Sequence, residues 1–114
     1  MNKVLRDGEF LAAIPELLRE NMVDLHSLMV FEYAFPIDLA EEILTALTTG
    51  GFKVLGGDVW AVDSTIGNEP RPTGSNWIAP GDGTPQECLA SLREFLDWSS
   101  RPDRYMTWVA VHPE

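Results

Sequence analysis

The sequence predicts an α+β fold, a small, mostly antiparallel sheet of three to four strands with helices packed on it, in one domain covering residues 1–114. Three observations lead there. Helical spacing of apolar residues recurs at 9–20, 38–48 and from 84 onward, and apolar strand-like runs lie at 52–62, 77–78 and 105–111. Glycine- and proline-rich turns separate them, and 114 residues is a common size for a single domain.

The elements follow in order. Phe10, Leu11, Ile14, Leu17 and Leu18 have helical spacing, but Pro15 lacks an N–H and clashes with the preceding turn. The pattern predicts a short turn followed by a helix near Pro15, or one kinked helix. Residues 22–35 fit two readings: Met22, Leu25, Leu28 and Met29 suit a short helix, whereas Val30 to Phe35 suits an extended segment leading into Pro36. Asp38 to Thr48 is the clearest helix. Asp38 is its expected cap with Glu41 as capping-box partner, Leu39, Ile43, Ala46 and Leu47 form the buried stripe, and Gly50-Gly51 supplies a left-handed stop.

Phe52 to Val62 reads as a strand interrupted by Gly56-Gly57, a pair that predicts a β-bulge or a close backbone approach. Asp63 to Gly74, with Pro70 and Pro72, reads as a long polar connection. Trp77-Ile78 opens a further short strand. Thr84-Pro85-Gln86-Glu87 is a helix start with Thr84 as cap, Pro85 at the first position and Glu87 closing the box. Leu89, Leu92, Phe95 and Leu96 make that helix's apolar face, and Arg101-Pro102 ends it. Tyr105 to Val111 is apolar on both faces, as expected of an inner strand.

Composition narrows the function. A 45% apolar fraction and four tryptophans predict a folded globule. One cysteine, Cys88, permits no intrachain disulfide, and no apolar leader or long apolar span is evident, so the expected location is cytoplasmic. Eighteen acids against eight bases give a net charge of -10. Between Glu20 and Leu92 the only bases are Lys53 and Arg71, against eleven acids. Such a field repels nucleic acid and anionic membranes and attracts basic partners, although acidity also serves solubility.

Catalytic chemistry finds little support. His26 and His112 are the only histidines, and no CxxC, HxH or HExxH spacing exists, so neither a metal nor another cofactor is expected. Cys88 lies inside a helical pattern, where it reads as a small buried hydrophobe. His112, beside Pro113, is expected to be solvated. Asp58 follows the glycine pair; its carboxylate either accepts N–H groups freed by the break or is displayed to a basic partner, and the structural role is the favoured one. Most tryptophans are expected in the core, with at least one on a contact surface.

Glu32-Tyr33-Ala34, a helix with Leu39, Ile43 and Leu47, the string Val54-Leu-Gly-Gly-Asp-Val-Trp60 and then Ser75-Asn-Trp77 together resemble the immunity protein 40 family of bacterial polymorphic toxin systems. The resemblance spans roughly residues 30–80. It departs from the family pattern at Trp60, where tyrosine is expected, at Ser75, where an acid is common, and in the long connection after Asp63. The motif residues are Gly56, Gly57, Asp58, Trp60, Asn76 and Trp77. The resemblance implies a small cytoplasmic non-enzyme that binds and neutralises a cognate toxin domain. Many such toxins are nucleases with basic clefts, so the acidic residues expected to meet one are Asp24, Glu32, Glu41, Glu42, Asp58 and Asp63. An acidic adaptor or regulatory subunit is the second reading, and a small enzyme with an unrecognised site the third.

Overall fold

The computed structural model describes residues 7–28, 33–62, 70–99, 101 and 103–113. In chain order they form α1 (Asp7–Ala13), α2 (Glu16–Arg19), β1 (Val23–Asp24), β2 (Tyr33–Pro36), α3 (Ala40–Thr49), β3 (Lys53–Ala61), β4 (Arg71–Ile78), α4 (Pro85–Ser99), β5 (Arg104–Thr107) and β6 (Val109–Val111). The fold is α+β with one antiparallel sheet, ordered β1-β2-β5-β3-β4, and β6 pairs β3 beyond the end of β5. The described strands number six, more than the expected three to four. The surplus comes from two- and three-residue strands, too short to show a period of two.

A helix does start after Pro15, as α2, but the segment before it is the helix α1 rather than a turn, so the chain makes two separate helices instead of either expected form. The short helix expected from Met22 to Met29 is replaced by β1 and a single 3-10 turn at His26–Leu28, whereas β2 agrees with the extended reading, and residues 29–32 lie outside the described ones. The start of α3 differs from expectation. Asp38 lies inside a 3-10 turn, Ile37–Leu39, and α3 begins without a side-chain cap. The turn runs directly into the helix, so the cap position falls to Leu39, which has no side-chain acceptor, while Asp38 lies within the turn rather than at the point from which a side chain reaches forward to the first N–H groups. The buried stripe of α3 is correspondingly Ala40, Ile43, Leu44 and Leu47, with Leu39 and Ala46 only partly covered. Its other end matches the expected stop. Gly51 takes φ +87°, its N–H bonds Thr48 O at 3.1 Å and Phe52 N–H reaches Leu47 O at 3.1 Å, a Schellman closure. The capping box of α4 also forms: Glu87 N–H donates to Thr84 Oγ1 and Thr84 N–H to Glu87 Oε1, both at 3.2 Å.

β3 is the sheet's organising strand, with β4 on one side and β5 then β6 on the other. Its glycines accept both neighbours at close range. A Cβ on Gly56 would lie 2.1 Å from Trp77 O, and one on Gly57 would lie 1.7 Å from Thr107 O. The ladder to β6 shifts between Val54 and Gly56, where Gly56 takes φ +145°. The glycine pair therefore supplies both a bulge and a close approach.

β4 starts at Arg71, well before the expected Trp77. It is an edge strand, exposed everywhere but Trp77. That exposure explains why no apolar pattern announced it and why Pro72, lacking an N–H, is tolerated within it. Its ladder to β3 slips between Asp58 and Trp60, and the Thr73 hydroxyl fills the gap by donating to Val59 O at 2.9 Å.

The main core lies between the helices and one sheet face. Phe10 and Ile14 of α1 and its C-terminal junction, Ile43, Leu44 and Leu47 of α3, and Cys88 and Leu92 of α4 meet Phe35, Val54, Met106 and Ala110. Each fully buried aliphatic contributes on the order of 1.5–3 kcal/mol from leaving water. Trp77 and Trp108 close one flank edge to face, ring centres 6.1 Å apart, and Trp77 Nε1–H donates to Ser91 Oγ at 3.2 Å. A smaller cluster of Leu25, Ala34 and Trp60, flanked by Tyr105, covers part of the opposite face. Of the single inner strand expected over Tyr105 to Val111, β5 is inner, between β2 and β3, but the run breaks at Trp108 and β6 pairs with β3 alone.

Candidate protein-binding groove

The break at Pro15 borders an open concavity on the helical side. Because α2 cannot continue α1, Ala12 and Ala13 end one helix and Leu18 sits on the next, leaving a shallow wall of short side chains. The facing wall is α3, whose Glu41, Glu42, Thr45, Ala46 and Thr49 recur at helical spacing beside the buried stripe. Leu89 and Arg93, one turn apart on α4, close the end. The result is an open groove of about 740 Å³ with an apolar floor and an acidic lip.

Glu41 and Glu42 occupy the first turn of α3, where their charge complements the helix dipole. Glu41 also reaches across to α4. Arg93 Nε and Nη2 both lie 2.9 Å from Glu41 Oε1. Arg93 was not anticipated from the sequence. Its spacing from Leu89 indicates the shared helix side, but its partner lies 52 residues away and is found only once α3 and α4 pack.

The other expected contact residues lie elsewhere. Asp24 is exposed at the end of β1 and is held locally by His26, whose backbone N–H donates to Asp24 Oδ1 at 2.8 Å while its ring meets the same oxygen. That backbone hydrogen bond, then the ring contact, holds the Asp24 carboxyl below the usual aspartate range. Asp58 is exposed on β3, two residues from Trp60 and hence on the sheet side opposite the groove. Glu32 and Asp63 lie outside the described residues. The structure thus joins Glu41 to Glu42 and separates both from Asp24 and Asp58.

The motif residues do come together. Across β3 and β4, Gly57 faces Trp77 and Asp58 faces Asn76, with Trp60 opposite Pro72. The expected structural role of the Asp58 carboxylate is corrected here. The Thr107 hydroxyl, not that carboxylate, serves the glycine break: Asp58 N–H donates to Thr107 Oγ1 at 3.1 Å. Thr107 is fully buried, and nothing in its local sequence marked it.

His112 is also more constrained than expected. It pairs with Glu9 at 2.6 Å and stands edge-on to Phe52. Cys88 is buried in the main core, and burial first, then Glu87, pushes its thiol pKa up. Trp98, in contrast to the buried Trp60, Trp77 and Trp108, is 84% exposed and borders a polar hollow with Arg101 and Arg104. Among the described residues no three His, Cys, Asp or Glu side chains cluster as metal ligands, and no helix is long and apolar enough to cross a membrane. Compared with protein-family models, curated proteins and solved structures, the chain matches none.

Proposed function

We propose that this protein is an immunity protein, a cytoplasmic non-enzyme that binds and neutralises a cognate bacterial toxin domain. The observation that carries the reading is the helical groove, where an apolar floor for a partner's side chains lies beside Glu41 and Glu42 on a chain of net charge -10. Apolar contact gives a complex its lifetime, and a field of one sign speeds the encounter. The partner this combination favours is basic, as the cleft of a nuclease is, and the same field disfavours nucleic acid itself. The resemblance of residues 30–80 to immunity protein 40 members supports the same reading.

The test is calorimetric binding to the C-terminal domain of the protein encoded next to this one, repeated over a salt series. The expected result is tight binding that weakens as salt rises. Replacing Glu41 and Glu42 by lysine slows association and flattens the salt dependence. Absence of binding would overturn the immunity reading. Tight binding untouched by the double replacement would keep the role and remove the groove from it.

A further inference from the structure

We infer that Arg93 is an internal stand-in for a partner's cation, and that the groove's occupant is an amphipathic helix whose apolar face lies on the floor while an arginine or lysine displaces Arg93 from Glu41. The inference rests on the groove being the contact surface, as proposed above.

The shape favours a helix. The groove is walled by α1 and α2 on one side and α3 on the other, and its floor side chains are short, with Ala12, Ala13 and Ala46 among them. A helix is roughly 10 Å across and lays one face on such a wall of short side chains, with its opposite face left in water.

The charge arrangement favours a cation on that helix. Glu42 is exposed at the lip, and no partner for its carboxylate is found among the described residues. Glu41 holds the one base that lines the groove among the described residues, Arg93, through two nitrogens on one carboxylate oxygen. Both members are well exposed, 61% for the Arg93 side chain and 42% for that of Glu41. An exposed pair of this kind is cheap to break, and exchanging one guanidinium for another conserves the geometry at Glu41. In the free protein Arg93 therefore compensates the Glu41 charge without locking it in place. On binding, Arg93 swings to solvent and the incoming cation takes its place.

This makes an unusual demand: removing a residue from the contact surface strengthens binding. The probe is a synthetic 14-residue helix-forming peptide with leucines on one face and arginines on the other, with a glutamate-for-arginine peptide as control. Affinity is read by fluorescence anisotropy and location by amide chemical-shift changes in the full-length protein. The expected result is binding of the arginine peptide only, with shifts centred on Ala12, Ala46, Thr49 and Leu89. Arg93→Met tightens binding by about 2- to 5-fold. Arg101→Met, which changes net charge equally beyond the far end of α4, tightens it less. Glu41→Gln weakens binding and abolishes the gain from Arg93→Met in the double variant.

Weaker or unchanged binding in Arg93→Met, a gain no larger than that of Arg101→Met, or shifts away from the groove would each overturn the inference. The outcome separates from that of the toxin experiment. Peptide binding without toxin binding leaves the groove a helix receptor and sinks the immunity reading. Toxin binding without peptide binding sinks the helix-and-exchange mechanism alone.

Discussion

The carbonyl oxygen of Thr107 occupies the space into which Gly57 would project a side chain, 1.7 Å from where its Cβ would stand, while the Thr107 hydroxyl accepts the N–H of Asp58. One threonine thus excludes a methyl group from one residue of β3 and satisfies the backbone of the next. Both contacts depend on β5 lying against β3 at close range.

Gly57→Ala is therefore expected to destabilise the fold by at least ~3 kcal/mol, because a backbone oxygen cannot move without pulling β5 from the sheet. Gly56→Ala should cost a similar amount, since Trp77 O lies 2.1 Å from its Cβ position and φ is +145°. Gly74→Ala, with a positive φ but open space around it, should cost only ~1 kcal/mol. Urea unfolding ranks the three, and equal losses at all positions would remove close approach as the cause.

Thr107→Val keeps the volume and deletes the hydroxyl. It leaves Asp58 N–H without its acceptor and should cost about 1–3 kcal/mol. The amide of Asp58 should also lose protection in hydrogen exchange, a change that simple loss of packing would not confine to that residue.

The thiol of Cys88 is expected to react slowly with a disulfide reagent at neutral pH. Burial hides it and raises its pKa, so the thiolate is scarce, and the neighbouring Glu87 acts in the same direction. The rate should climb as pH rises and jump on unfolding in urea. Rapid stoichiometric labelling of the folded protein at neutral pH would contradict this placement.

Asp24 makes stability pH-dependent with a definite sign. Its folded-state pKa is depressed, chiefly by the His26 backbone N–H, so its contribution is present above the ordinary aspartate pKa of ~3.9 and disappears as pH falls through the lower folded value. Asp24→Asn should therefore lower Tm slightly at pH 6, and the difference from the parent should close in acid. Tm curves that stay parallel down to pH 2 would show that the pair does not act through ionisation.

Local signals in the chain determined the parts governed by local physics. Pro15 divides the first two helices because the ring forbids continuity, Gly51 ends α3 because it adopts a left-handed turn, and Thr84 with Glu87 starts α4 by closing its own hydrogen bonds. The strand containing Gly56-Gly57 was legible for the same reason, as was the helical stripe that turns Cys88 and Leu92 inward. The α+β class and antiparallel sheet follow from these elements in order. The expectation of a helix cap at Asp38 failed because a 3-10 turn preceded the helix, a difference of a few backbone dihedrals that side-chain identity does not encode.

What only the tertiary structure decided depends on residues far apart in sequence. The extent of β4 was hidden because an exposed edge strand has no apolar face to betray it. The division of the acids, with Glu41 and Glu42 on the helical groove and Asp58 behind the sheet, follows from strand pairing and helix packing rather than composition. Arg93 meets Glu41 across 52 residues, and Thr107 meets Asp58 across 49. Charge and hydropathy fix what a surface attracts, but which charges share that surface is settled when the core folds and brings distant segments into contact.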